Sequence, residues 1–245
     1  KIYSKVINMI IEIVKKSTNS KLLKFFFRDI LKINLDKLIL PRIFIFKHND
    51  LKFDIKTFYD YALKNPKTNY MPDQIDTYQS DHDIEQKPEF GKIKIQIEKF
   101  LDEELKKKVF VRKTLGKFKL KSMWFVIMKK NSHHNMHSHP KSAFTGVFYL
   151  KVNKNETSSA LKIIIPNFNR KEYNLNSFFD KAIENKTQLV DERKDKTTII
   201  EKEIFDFVPD NNDMIVFNSY MIHGIEKYES EEDRIALAWD AVYII

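Results

Sequence analysis

Seven histidines are spread over 245 residues, and four of them, His133, His134, His137 and His139, fall within seven consecutive positions. The others are His48, His82 and His223. The spacing that matters most is His137-Ser138-His139. On a β-strand, side chains two residues apart project from the same face, so these two imidazoles can hold one metal ion together. A third ligand must come from another strand. His223 is the candidate, because it follows the apolar run ending at Phe217 and precedes a turn at Gly224. Neutral imidazole is a common nitrogen ligand for iron, zinc and copper. Three nitrogens on one side of an ion leave its opposite positions open, as in catalytic rather than structural sites. The competing reading is a polar surface turn rich in histidine, since H-x-H alone is a weak motif.

Other chemistries are excluded by composition. The chain has no cysteine, which removes disulfides, thiolate metal sites and a cysteine nucleophile. It also fits a reducing, cytoplasmic setting. The four glycines, Gly91, Gly116, Gly146 and Gly224, are too far apart to form a phosphate-cradling loop. The length suits one large domain, or one domain with an appendage. No run of about 18 apolar residues exists, so no membrane span is expected. Val6 to Val14 comes nearest, but Asn8 and Glu12 interrupt it and no small-residue cleavage site follows, so no signal peptide is expected. The chain opens on Lys1 rather than Met, as a piece of a longer protein would.

The net charge of +9 is unevenly placed. Residues 1–130 carry 29 Lys and Arg against 16 Asp and Glu, whereas residues 131–245 carry 14 against 18. A basic half can meet nucleic acid, anionic lipid or an acidic partner. A solvated lysine surface is the favoured reading, because most charge runs are solvated faces. Nucleic acid is thus a possible partner but not the favoured one.

The elements that must position the histidines are legible from periodicity. Residues 1–37 read as two helices, broken at Ser17-Thr18-Asn19-Ser20, and form an N-terminal appendage. Residues 42–46 alternate like a strand, and 54–64 and 91–109 have helical spacing. The polar stretch 65–90, with Pro66, Pro72 and Pro88, reads as a long loop. From about residue 120, short apolar and β-branched runs succeed one another at 122–129, 133–139, 143–152, 159–165, 198–208, 213–218, 221–227 and 234–244. Eight short strands argue for a sandwich or barrel. Residues 167–197, with Phe178 and Phe179 in a short helix, read as an insertion that is either a lid or a surface loop.

The flanks of the histidine pair add a pattern. It runs His137-Ser138-His139-Pro140, then Ser142-Ala143-Phe144-Thr145-Gly146-Val147-Phe148-Tyr149-Leu150. Later come Asp213-Met214-Ile215-Val216-Phe217, then His223, then Asp233-Arg234-Ile235-Ala236-Leu237-Ala238-Trp239. This resembles the iron(II)/2-oxoglutarate-dependent oxygenases, within them a largely uncharacterised bacterial and phage group with H-x-H-P. The resemblance spans about residues 38–245, is densest after residue 131, and omits 1–37. Tyr78-Gln79-Ser80 and Pro88-Glu89-Phe90 are similar to the group's upstream segment.

The resemblance implies a mainly β protein with N-terminal helices, its core a double-stranded β-helix, the cupin-like jelly roll, over about 120–245. It implies iron(II) held by His137, His139 and His223, with 2-oxoglutarate as cosubstrate and succinate and CO2 as co-products. The wider superfamily has an acidic residue where His139 stands, so either three imidazoles hold the ion or an acid from elsewhere joins them. Arg234 takes the place of the basic residue that pairs with the far carboxylate of 2-oxoglutarate. Ala236 stands where the family usually has serine. Asn135 and Tyr149 are further candidate contacts to the cosubstrate. The substrate is not named by the sequence, and a small molecule or a protein side chain is the expectation. Two other readings stay open: a three-histidine, cupin-type dioxygenase without cosubstrate, and a metal-binding module. Gly146 and Gly224 lie beside the proposed site, so a larger residue at either should damage it, and the same change at Gly91 should not.

Overall fold

The computed structural model describes residues 41–49, 51, 53–66, 77–109, 116–153, 160–165, 187–200 and 203–244. The helices expected in 1–37 and around Phe178 and Phe179 lie outside the described residues. In chain order, the elements are β1 (Arg42–Lys47), α1 (Ile55–Lys64), β2 (Thr77–Gln79), α2 (Gly91–Phe100), a π-helical turn (Leu101–Leu105) and α3 (Lys106–Val109). Ten strands follow: β3 (Lys117–Met128), β4 (His134–His137), β5 (Phe144–Lys151), β6 (Leu161–Ile164), β7 (Thr187–Asp191), β8 (Lys196–Ile200), β9 (Ile204–Phe207), β10 (Asp213–Asn218), β11 (His223–Ile225) and β12 (Arg234–Ile244). No described helix is long and apolar enough to cross a membrane.

The strands form two sheets. The larger has the order β2-β3-β12-β5-β10-β1-β7-β8, and the smaller β4-β11-β6-β9. Leaving aside β7 and β8, which pair with each other in the larger sheet, successive strands from β3 onward switch between the sheets except from β6 to β9, and first pairs with last: β3 with β12 and β5 with β10 in one sheet, β4 with β11 and β6 with β9 in the other. Nested pairing of this kind is a jelly roll, the double-stranded β-helix. Its eight strands fall in the eight runs expected from sequence.

The central strands of the larger sheet, β12, β5, β10 and β1, are buried on both faces, and residue parity decides which face each side chain serves. On β12, Ile235, Leu237, Trp239 and Ala241 join the core under the helices, with Phe44 and Phe46 of β1 and Met214 and Val216 of β10. α1 brings Phe58 and Tyr61 to that core, and α2 brings Ile93, Ile97 and Phe100, all at helical spacing. The Asp54 side chain caps α1 by accepting from Lys56 N, which fixes where the helix starts. The other parity faces the smaller sheet. Ile43, Ile45, Ile215 and Phe217 pack there with Leu161, Ile163 and Phe207, and Arg234, Ala236, Ala238 and Asp240 share that side of β12.

Three local expectations change. The stretch 65–90 holds β2 and two 3-10 turns, Ile84–Gln86 and Pro88–Phe90, because Tyr78 and its neighbours pair with the edge of β3. A three-residue strand is too short to show a period. The run 198–208 divides into the end of β8 and all of β9, which sit in different sheets. The expected insertion 167–197 contains β7, which lies parallel to β1 and extends the larger sheet.

Gly146 also has a different reason for being glycine. A Cβ there would lie 2.0 Å from Trp239 Cζ2. The missing side chain makes room for an indole on the helix-covered face, not for a cosubstrate on the other. At Gly224 a Cβ would meet the carbonyl oxygen of His134 at 2.7 Å, so this glycine lets β4 approach β11. At Gly91 a Cβ would meet nothing within 4 Å.

Candidate metal centre

The pairing of β4 with β11 sets His137 directly opposite His223. Their ring centroids are 4.4 Å apart. His139 lies two residues beyond His137, past the end of β4, and its backbone N–H donates to the carbonyl of Ser219 at 2.7 Å. That bond folds the chain after β4 back toward the turn preceding His223. The His139 ring stacks between Trp124, at 5.4 Å, and His223, at 5.3 Å. One potential ligand atom from each of His137, His139 and His223 lies within 4.8 Å of the others.

The hydrogen bonds indicate which nitrogen each ring would use. His137 Nδ1 lies 2.8 Å from the carbonyl of Asn135. His223 Nδ1 lies 2.9 Å from the carbonyl of Met221. His139 Nδ1 lies 3.1 Å from Asp240 Oδ2. All three partners accept only, so the proton sits on Nδ1 and leaves the Nε2 lone pair for a ligand. His139 Nε2 is buried without a hydrogen-bond partner. An orphaned acceptor of this kind among three convergent imidazoles fits a metal ion, and imidazole suits iron(II). Burial and the neighbouring His137 ring pull the His223 pKa down to about 3, and burial lowers that of His137. Both rings are therefore held neutral, the form that binds metal.

A pocket between the sheets runs from His137 and His223 to Arg234. Arg234 is 1% exposed, and its guanidinium lies 4.9 Å over the Tyr149 ring. Two of the three acidic residues just before it are engaged elsewhere. Glu231 pairs with Lys130, and Asp233 Oδ2 accepts from Tyr59 Oη at 2.8 Å. This second bond ties the start of β12 to α1. Tyr149 is fully buried in the pocket wall, and burial raises its pKa. Asn135 is not brought there: its side chain is exposed, and its carbonyl orients His137 instead.

Sequence reasoning assigned no role to three residues found here. His134 lines the pocket, its ring 4.6 Å from that of His137, and burial takes its pKa down to about 3. Asp240 and Thr145 form the third side of the site, with Thr145 Oγ1 donating to Asp240 Oδ1 at 2.7 Å. The signal for Asp240 was parity. It is the one acid within the run 234–244, six residues after Arg234, so both project from the same face of one strand.

Residues 122–240 match a family model described as putative 2OG-Fe(II) oxygenase. The sequence matches none of the curated proteins. Among solved structures, the fold is similar to a 2OG-Fe(II) oxygenase family oxidoreductase from Burkholderia pseudomallei, with 12% identity, 93% of this chain and 91% of that chain covered, and a TM-score of 0.47. It is also similar to HygX from Streptomyces hygroscopicus, crystallised with nickel, 2-oxoglutarate and hygromycin B (13% identity, 82% of each chain, TM-score 0.48). A third is a prolyl-4-hydroxylase from Pseudomonas putida, at 12% identity over 76% of this chain and 82% of that one, with a TM-score of 0.44.

Proposed function

We propose that the chain is an iron(II)/2-oxoglutarate oxygenase, a reading supported by the match of residues 122–240 to that family model, and that it hydroxylates a small molecule or a protein side chain and forms succinate and CO2 alongside. The observation that carries this reading is the convergence of three Nε2-presenting imidazoles, two of which, His137 and His223, line one pocket with a buried arginine. His137, His139 and His223 would hold the iron. When bound, the iron with 2-oxoglutarate and dioxygen supplies the oxidising power, through oxidative decarboxylation of the cosubstrate.

The chain's own contribution is binding, orientation and exclusion of water. Arg234 can grip the far carboxylate of 2-oxoglutarate through two parallel hydrogen bonds. The Tyr149 ring beneath the guanidinium holds its plane. Ala236, where the family usually has serine, adds no hydrogen bond to the cosubstrate. His134, kept neutral by burial, can donate one N–H to a bound carboxylate. Val126, Val147 and Leu161 give the pocket dry walls, which strengthens those charged contacts.

The buried guanidinium favours this reading over a three-histidine dioxygenase without cosubstrate. A guanidinium lining the same pocket as His137 and His223 can receive a carboxylate ligand, and that alternative supplies none. The test is succinate formed by iron-loaded protein given 2-oxoglutarate, together with anaerobic absorbance of the protein–iron–2-oxoglutarate mixture. Succinate and a new visible charge-transfer band support the proposal. Tight metal binding with neither signal would overturn it.

A further inference from the structure

The three imidazoles are not oriented alike. His137 and His223 each donate Nδ1–H to the carbonyl of the residue two before it, a local bond that any sequence could supply. His139 alone uses a side chain, the carboxylate of Asp240, which comes from a strand 101 residues away. Asp240 is 6% exposed, and its second oxygen accepts from Thr145. Among the described ion pairs, its basic partner is His139 and not a lysine or arginine. A carboxylate buried against an imidazole, with no permanent cation beside it, is costly. A divalent ion on the far side of that ring would offset the cost.

We infer that Asp240 is a positioning residue for the metal centre: it holds His139 with Nε2 toward the ion and supplies, one bond further out, the negative charge that an all-imidazole ligand set lacks. Both carboxylate oxygens only accept, so His139 is confined to the tautomer that leaves Nε2 free. Carboxylate partners of ligating histidines commonly change metal affinity 10- to 100-fold when removed. This role rests on the metal centre described above but is separable from it by experiment.

The test uses the whole chain and cobalt(II) as probe, without cosubstrate. Binding is measured by calorimetry for the wild type, Asp240→Asn and Asp240→Ala, and the melting temperature of each metal-free protein is recorded. Asparagine keeps the shape and can still accept from His139, so Asp240→Asn isolates the charge. The expected result is about 10-fold weaker cobalt(II) binding for Asp240→Asn and up to about 100-fold weaker for Asp240→Ala. The metal-free Asp240→Asn protein should melt no lower than the wild type, because a buried charge has been removed. In Asp240→Asn a merely structural aspartate would lower stability and affinity together, and that result overturns the inference. Unchanged cobalt(II) affinity in Asp240→Asn also overturns it. A wild type that binds no cobalt(II) overturns the metal centre itself and this role with it.

Discussion

The two faces of the larger sheet are made by the same strands and do opposite work. On β12, the odd-numbered residues Ile235, Leu237, Trp239 and Ala241 join an aromatic core under α1 and α2. The even-numbered Arg234 and Asp240 reach the pocket side, with two alanines between them. β5 repeats the division: Phe148 and Leu150 face the helices, while Thr145, Val147 and Tyr149 line the pocket. The helix-covered face tolerates no ligand because it is closed by large rings, such as Trp239 seated over Gly146. The pocket face keeps its small residues beside the polar ones. One strand can therefore carry stability and chemistry without conflict, since a period of two sends adjacent residues to different environments.

That division can be broken one residue at a time. Trp239→Ala should have the largest effect, about 3–5 kcal/mol of stability. It should lower the melting temperature by roughly 2–4 °C for each kcal/mol. If the melting temperature holds and only metal binding falls, the two faces are not separate. Gly146→Ala should come next, at about 1–3 kcal/mol, because the new methyl must displace the indole. Denaturant unfolding would measure this, and an unchanged midpoint would contradict the packing described.

Arg234→Gln probes the other parity. It should shift the metal-free melting temperature little, yet abolish the extra stability that 2-oxoglutarate confers on the metal-loaded protein. In the wild type that gain is about 2.7 kcal/mol at 100 times the dissociation constant. A 2-oxoglutarate-dependent shift that survives the substitution would take the cosubstrate away from Arg234. The smallest effect belongs to Gly91→Ala. Gly91 has φ −57 and ψ −40, already right-handed helix, and open space around it. Alanine should add at most about 1 kcal/mol, with no change in metal binding. A loss there would mean that α2 is packed more tightly than its glycine suggests.

Much of this was legible in the residues, and the exceptions have physical reasons. His137, His139 and His223 stood out because imidazoles are few and their flanks carry a pattern. Arg234 stood out because it opens an alternating apolar run. Asp240 sat at the same parity but was overlooked, since its value depends on which ring it meets across the sheet. The glycine at 146 was noticed for its position, but its reason lay on the opposite face, where Trp239 is 93 residues away in sequence. The edge strand β2, and β7 next to the opposite edge, carry too little periodicity of their own to be seen before their neighbours are known.

By itself, the sequence determined the alternation that makes the strands, the eight runs of the jelly roll and the types of ligand available, because these depend on neighbouring residues only. Tertiary structure alone decided that β11 lies against β4, that an aspartate meets the third histidine and that the arginine shares a pocket with His137 and His223. Those are contacts across a hundred residues, set by register and packing, and no local period encodes them.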